Sequence, residues 1–154
     1  MKRTSDKRGK TSSPDAAIWT LKIKLVYGIR AQGPWEATLE IDSSATLEDL
    51  HLAIQNAVKF DDDHMYMFYV ARTHRSRDRI VFEHEDGTLQ DMTLANLFPL
   101  PPDRKLFYWF DFGDDWKFSI GRTRTAPQVA GKGKKYPRLV GMRGDAPVQY
   151  PSWD

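Results

Sequence analysis

The chain has 154 residues, 40% of them apolar and 12% aromatic, which is enough for one packed domain, and it contains no cysteine. Disulfides, thiolate chemistry and Cys-based zinc sites are excluded, so any metal has to be held by His and carboxylates. The formal net charge of +2 is unevenly spread: residues 1–17 and 122–154 hold 12 Lys+Arg against 4 Asp+Glu, whereas residues 18–121 hold 11 against 17.

Residues 1–17 are polar, charged and Ser/Thr-rich, too poor in apolar area to offset the entropy of ordering, and are expected to be a disordered basic tail. No apolar run approaches the ~20 residues that span a bilayer, and Met1 to Lys10 lacks the apolar centre of a secretory signal, so a soluble cytoplasmic protein with no membrane contact is expected. From Ile18, the alternation of Trp19, Leu21, Ile23 and Leu25 with Thr20, Lys22 and Lys24 predicts a half-buried strand. After a turn at Gly28 to Pro34, Trp35, Ala37, Leu39 and Ile41 alternate with Glu36, Thr38 and Glu40, predicting the second arm of an antiparallel hairpin. Ser43, Ser44 and Thr46 offer N-caps, and Leu47, Leu50, Ile54, Ala57 and Val58 recur at helical spacing, predicting a helix from about Leu47 to Lys59 across that hairpin. His51 falls beside its apolar face and reads as a half-buried, hydrogen-bonded histidine.

His64 to Val70 is apolar on both faces and predicts a central strand. Arg72 to Arg79 is a charged loop, Ile80 to His84 a short strand, and Thr93 to Phe98 a short helix ended by Pro99. The densest stretch, Arg104 to Gly121, predicts a β-hairpin. Leu106, Tyr108, Phe110 and Phe112 alternate with Phe107, Trp109 and Asp111, and Trp116, Phe118 and Ile120 alternate with Asp115, Lys117 and Ser119. Gly113 is expected to supply the positive φ of the turn, with Tyr108, Gly113 and Trp116 as structural residues of the hairpin. The order β-β-α-β-β-(short α)-β-β predicts an α+β fold, a β-grasp-like mixed sheet with one main helix packed on it, over residues 18–121. Residues 122–154 read as a basic linker followed by an extended C-terminal segment that docks on the domain.

The segment Tyr108-Trp-Phe-Asp-Phe-Gly-Asp-Asp-Trp116 resembles the Tyr-x-Tyr-Asp-Phe-Gly-Asp-x-Trp hallmark of the plasmid pRiA4b ORF-3-like family, small proteins of mobile elements and prokaryotic chromosomes. Thr46 to Ala57, Asp63 to Phe68 and Tyr136 to Gly141 resemble further family segments in the same order, so the likeness covers about residues 18 to 150. It implies a compact α+β domain and an association with plasmids or transposons, and it brings no established biochemical activity. This chain departs from the family at Phe118, where His is usual, and at its ending, Ala146 to Trp153.

The turn places Asp111, Asp114 and Asp115 within five residues, where three like charges repel unless they are solvated, bonded to backbone N–H groups or bridged by a cation. Together with His64, and with Asp61 to Asp63 in reserve, they form a candidate ligand or metal site. Magnesium or manganese there would suit phosphodiester hydrolysis. Local capping of the turn is the favoured alternative, which leaves no assigned catalytic residue and no cofactor. The Asp-Phe-Gly triplet at Asp111 to Gly113 is not a kinase signature, since the phosphate loop, strand Lys and catalytic loop of a kinase are missing. Walker, dinucleotide, zinc-helix and Ser-elbow motifs are missing too. Candidate nucleic-acid contacts are Arg72, Arg75, Arg77 and Arg79 in the charged loop and Lys132, Lys134 and Lys135 in the linker. The rings Phe107, Trp109, Trp116 and Phe118 would stack bases if exposed, but the hairpin offers Asp rather than Lys or Arg beside them, which favours the tails over the sheet. The expected function is a non-enzymatic interaction module whose hairpin meets an unidentified protein or small ligand and whose basic flanks touch nucleic acid; the alternative is a metal-dependent phosphodiesterase using the Asp turn.

Overall fold

The computed structural model describes residues 17–152. The expected disorder of the basic tail, and the expected docking of Trp153, fall outside the described residues. The chain forms β1 (Ala17–Tyr27), β2 (Glu36–Asp42), α1 (Leu47–Val58), β3 (Tyr66–Ala71), β4 (Ile80–Phe82), a 3-10 turn at His84–Asp86, the one-turn helices α2 (Thr88–Asp91) and α3 (Leu94–Leu97), β5 (Lys105–Phe110), β6 (Trp116–Arg122), β7 (Gln128–Val129) and β8 (Arg138–Arg143). One sheet holds all eight strands in the order β4-β3-β5-β6-β1-β2-β8, with β7 on the N-terminal end of β1. The fold is α+β, a sheet with few helices. Its strand pairs are all antiparallel, which corrects the expected mixed sheet.

Alternation decides the two faces. Leu21, Ile23 and Leu25 of β1, Phe68 and Val70 of β3, Leu106, Tyr108 and Phe110 of β5 and Trp116, Phe118 and Ile120 of β6 are buried against Leu47, Leu50, Ile54 and Val58 of α1 in one core. Thr46 caps α1 by accepting the Asp49 N–H, Asp49 returns the bond to the Thr46 N–H, and Lys59 ends the helix at φ 59°. β3 is buried on both faces as expected of an interior strand, although only β4 separates it from the edge. The backbone of Gly28 lies against Trp116, where a Cβ would come within 2.7 Å of the indole. Residues expected to be linker and extended segment supply β7 and β8. β8 has weak local strand character and forms because β2 would otherwise leave a free edge. Among the described residues no helix is long and apolar enough to cross a membrane.

Candidate functional site

At the tip of the β5-β6 hairpin the three aspartates part company. Asp111 is buried: its N–H donates to the Met65 carbonyl, and its Oδ1 accepts the N–H groups of Gly113 (3.1 Å) and Asp114 (3.2 Å). The positive φ values fall on Asp111 and Asp115 (59° and 65°) rather than on Gly113, correcting that expectation; Asp tolerates this region because its side chain bonds locally to the backbone. Asp114 accepts from Arg30 Nε at 3.0 Å, and the Asp115 carboxylate lies 3.9 Å from Lys117 Nζ. Of the four residues read as a candidate metal site, Asp111 and His64 come together, at 3.3 Å. Among the described residues no three His, Asp or Glu side chains gather as a metal would require.

His64 also meets the C-terminal segment. Tyr150 Oη donates to Asp63 at 2.7 Å and lies 2.9 Å from His64 Nε2, while Gln149 donates to Asp63 and accepts the Asp61 N–H. The hydrogen bond from Tyr150 draws the Asp63 carboxyl below its ordinary range, and the same bond pushes the Tyr150 phenol up to about 12. The sequence gives no hint of these partners beyond an aromatic ending, because they lie more than eighty positions apart.

Beneath α1 a closed ring of hydrogen bonds fixes the loop that carries Asp62. Gln55 donates to Tyr108 Oη, Tyr108 Oη lies 2.6 Å from His51 Nδ1, His51 Nε2 lies 2.8 Å from Asp62 Oδ1, and the Asp62 N–H donates to Gln55 Oε1. Because Gln55 donates to the phenol oxygen, Tyr108 spends its own proton on His51 Nδ1, which leaves the proton of the neutral imidazole on Nε2 facing Asp62. Burial holds His51 below its ordinary pKa, with Asp62 opposing. His51 also stacks on Tyr66 at 3.6 Å. The expected histidine is present, and it is more deeply buried than half.

The face away from α1 is different. Phe107 and Trp109 of β5 point there with Tyr69 and Met67 of β3, Val26 and Tyr27 of the β1 bulge and Val81 of β4, while Trp116 and Phe118 lie in the core. Cations sit among these rings. Lys117 Nζ lies 4.9 Å from the Trp109 ring and 5.9 Å from that of Tyr27, and the Arg79 guanidinium lies 4.0 Å over Tyr69 and 5.9 Å from Trp109. Their placement follows from two local facts. Lys117 pairs with Trp109 across the ladder, and the Arg72 to Arg79 loop is drawn over the sheet by the Tyr69 hydroxyl donating to the His74 carbonyl and by His74 stacking on Tyr27. Burial lowers the Lys117 pKa, and Arg79 and Arg75 lower it further against Asp115. Burial likewise lowers His74 and raises the Tyr69 phenol to about 12. Lys22 and Lys24 project from β1 on the same face, Lys22 paired with Glu36 at 3.1 Å. The charged loop therefore reaches the rings, whereas Lys132, Lys134 and Lys135 do not: they are exposed on a turn beside Tyr136, which lines a groove with Leu52, Ala53 and Asn56 of α1. Arg72 and Arg77 point to solvent. Sequence reasoning missed Lys117 because it weighed the rings against the neighbouring Asp residues instead of the cross-strand partner of Trp109.

No curated protein matches the chain. A crystal structure of a protein of unknown function, MM3350 from Methanosarcina mazei Go1, is similar with a TM-score of 0.69 at 21% identity, over 86% of this chain and 72% of that one, which shows a shared fold. The family model described as plasmid pRiA4b ORF-3-like protein matches residues 18–149, nearly the whole chain, so the chain belongs to the plasmid pRiA4b ORF-3-like family.

Proposed function

We propose that the protein is a non-enzymatic interaction module that binds single-stranded nucleic acid on the sheet face opposite α1. The observation that carries this reading is the insertion of Lys117 and Arg79 among Trp109, Tyr69 and Tyr27 on a face that, among the described residues, no helix covers. Cations serve phosphates and rings serve bases; Tyr69 and Phe107 are buried, so Trp109 and Phe112 are the rings left to meet bases. Arg75 beside Lys117, and Lys24 on β1, extend the positive strip. Trp109 and Phe112, 4.6 Å apart, offer the stacking surface, Phe112 being 41% exposed. Mobile-element association accords with this reading and rests on the family name alone, and a cytoplasmic location accords with it and rests on the sequence expectation. A β-grasp relationship rests only on the helix laid across a sheet.

Fluorescence anisotropy with a labelled oligothymidylate or oligouridylate, run across a salt series, tests the proposal. Three phosphate contacts on a single strand give a slope of log K against log salt of about −2. Trp109→Ala should weaken binding by about 1–3 kcal/mol if a base stacks there. Tight binding with no salt dependence, or wild-type affinity in Trp109→Ala, contradicts the reading. The metal-dependent phosphodiesterase is the less supported alternative, because Asp114 and Asp115 each face a cation of their own.

A further inference from the structure

At the end of the β5-β6 hairpin away from the Asp turn, the first residue of β5, Lys105, and the last of β6, Arg122, flank a cleft of about 320 Å³. Arg104 joins them, and Phe98, Pro99 and Leu100 supply an apolar wall. No Asp or Glu lines the cleft. Arg104, Lys105 and Arg122 have no carboxylate partner among the described residues, where the ion pairs of Lys and Arg belong to Lys22, Arg30, Lys117 and Arg138. Three cations so close repel one another, and an anion placed between them relieves that repulsion. The walls are within reach of a ligand: Pro99, Lys105 and Arg122 are exposed, and Phe98, Leu100 and Arg104 are half-buried.

Two further observations distinguish this cleft from a merely basic patch. The first is the placement of Arg122. Its ladder partner is Leu21, so Trp19, two residues along β1 on the same face, lies diagonally beside it. The guanidinium sits 3.8 Å over the Trp19 ring, and Phe98 meets that ring edge-on at 6.0 Å. A guanidinium stacked on an indole is held in place while its in-plane N–H groups stay free to bond an oxyanion as a fork. The second is Gly121, which lines the cleft and is paired with Lys22 within β6. A Cβ there would meet nothing within 4 Å, so it is the missing side chain that leaves the space beside Arg122.

Three positive charges suit a doubly charged phosphate monoester better than a single carboxylate, and the wall of Phe98, Pro99 and Leu100 suits an apolar or aromatic body of small size. We propose that this cleft binds an organic phosphate monoester, with Arg122 and Arg104 pairing with the phosphate and Phe98 to Leu100 covering its apolar body. Two sources supply that group, a free phosphate ester and the terminal phosphate of a nucleic-acid strand; only the second rests on the nucleic-acid reading of the sheet face. Titration calorimetry of the full chain with phenyl phosphate tests the cleft without nucleic acid. Phenyl phosphate should bind about tenfold tighter than inorganic phosphate. Its binding should weaken about tenfold or more in Arg122→Gln, which loses charged hydrogen bonds, and in Gly121→Ile, which fills the space with a residue that strands accept. Retained melting temperature in Gly121→Ile separates a blocked cleft from a lost fold. Absence of heat with phenyl phosphate at millimolar concentration overturns the proposal, as does equal affinity for inorganic phosphate or unaltered affinity in both variants. Oligothymidylates with and without a terminal phosphate then assign the source: tighter binding of the phosphorylated strand, lost in Arg122→Gln, assigns a strand end, and equal binding assigns a free ester.

Discussion

Two side chains show how residue-level chemistry decides what this molecule can do. Asp111 satisfies two turn N–H groups and faces His64, so Asp111→Ala removes two part-buried hydrogen bonds and should cost about 1–3 kcal/mol in chemical denaturation. The same local satisfaction predicts that a cation adds nothing to the turn. Manganese in excess should leave the melting temperature unchanged, whereas a native-state ligand at a hundred times its Kd would add about 2.7 kcal/mol. A stabilisation by manganese that is lost in Asp114→Asn would restore the metal reading. His51 makes a pH prediction. Its folded pKa lies below its ordinary value, so the unfolded chain takes up a proton first as pH falls; stability is full above about 6.5 and declines as pH drops through that value. His74 shifts in the same direction and adds to the decline. Thermal melts from pH 7.5 to 5 should show it, and His51→Gln should make it shallower; an unchanged or rising melting temperature toward pH 5 contradicts this account.

At the scale of elements, the β5-β6 hairpin organises the core, and its register is what Trp116 reports. The indole is fully buried, 5.0 Å from Phe60 and against the backbone of Gly28, so Trp116→Ala should destabilise by about 3–5 kcal/mol, measured by urea denaturation. A neutral effect would mean the hairpin is out of register. Thr46→Ala removes the cap of α1 and should cost about 1 kcal/mol by the same measurement. β1, β2, α1 and the hairpin are legible in the sequence because period two and period 3.6 run without interruption through Leu21 to Leu25, Leu39 to Ile41, Leu47 to Val58 and Leu106 to Ile120. β8 is not, because Leu139, Val140 and Met142 stay largely exposed and the strand exists through its partner β2. The turn was legible in its carboxylates and illegible in its geometry: the pairing of Asp114 with Arg30 depends on a contact that crosses the fold. Lys117 opposite Trp109 became readable only with the register, since a cross-strand neighbour has no fixed sequence offset.

At the scale of the molecule, the described residues build one antiparallel sheet with two unlike faces. One face is closed by α1 over an apolar core. The other face has no helix among the described residues and carries rings interleaved with Lys117 and Arg79. The flanks expected from sequence to do the nucleic-acid work are thereby joined by a preformed surface, whose cations are held by aromatic contacts and whose burial already depresses the Lys117 pKa. Charge reversal on that surface separates it from the basic flanks. In anisotropy titrations of the full chain with a single-stranded oligonucleotide at moderate salt, Lys117→Glu combined with Arg79→Glu should weaken binding about a hundredfold or more, on the order of 1.4 kcal/mol or above for each charge reversed, with the melting temperature showing the fold retained. Wild-type affinity in that double variant would contradict the assignment of the sheet face opposite α1 as the nucleic-acid surface.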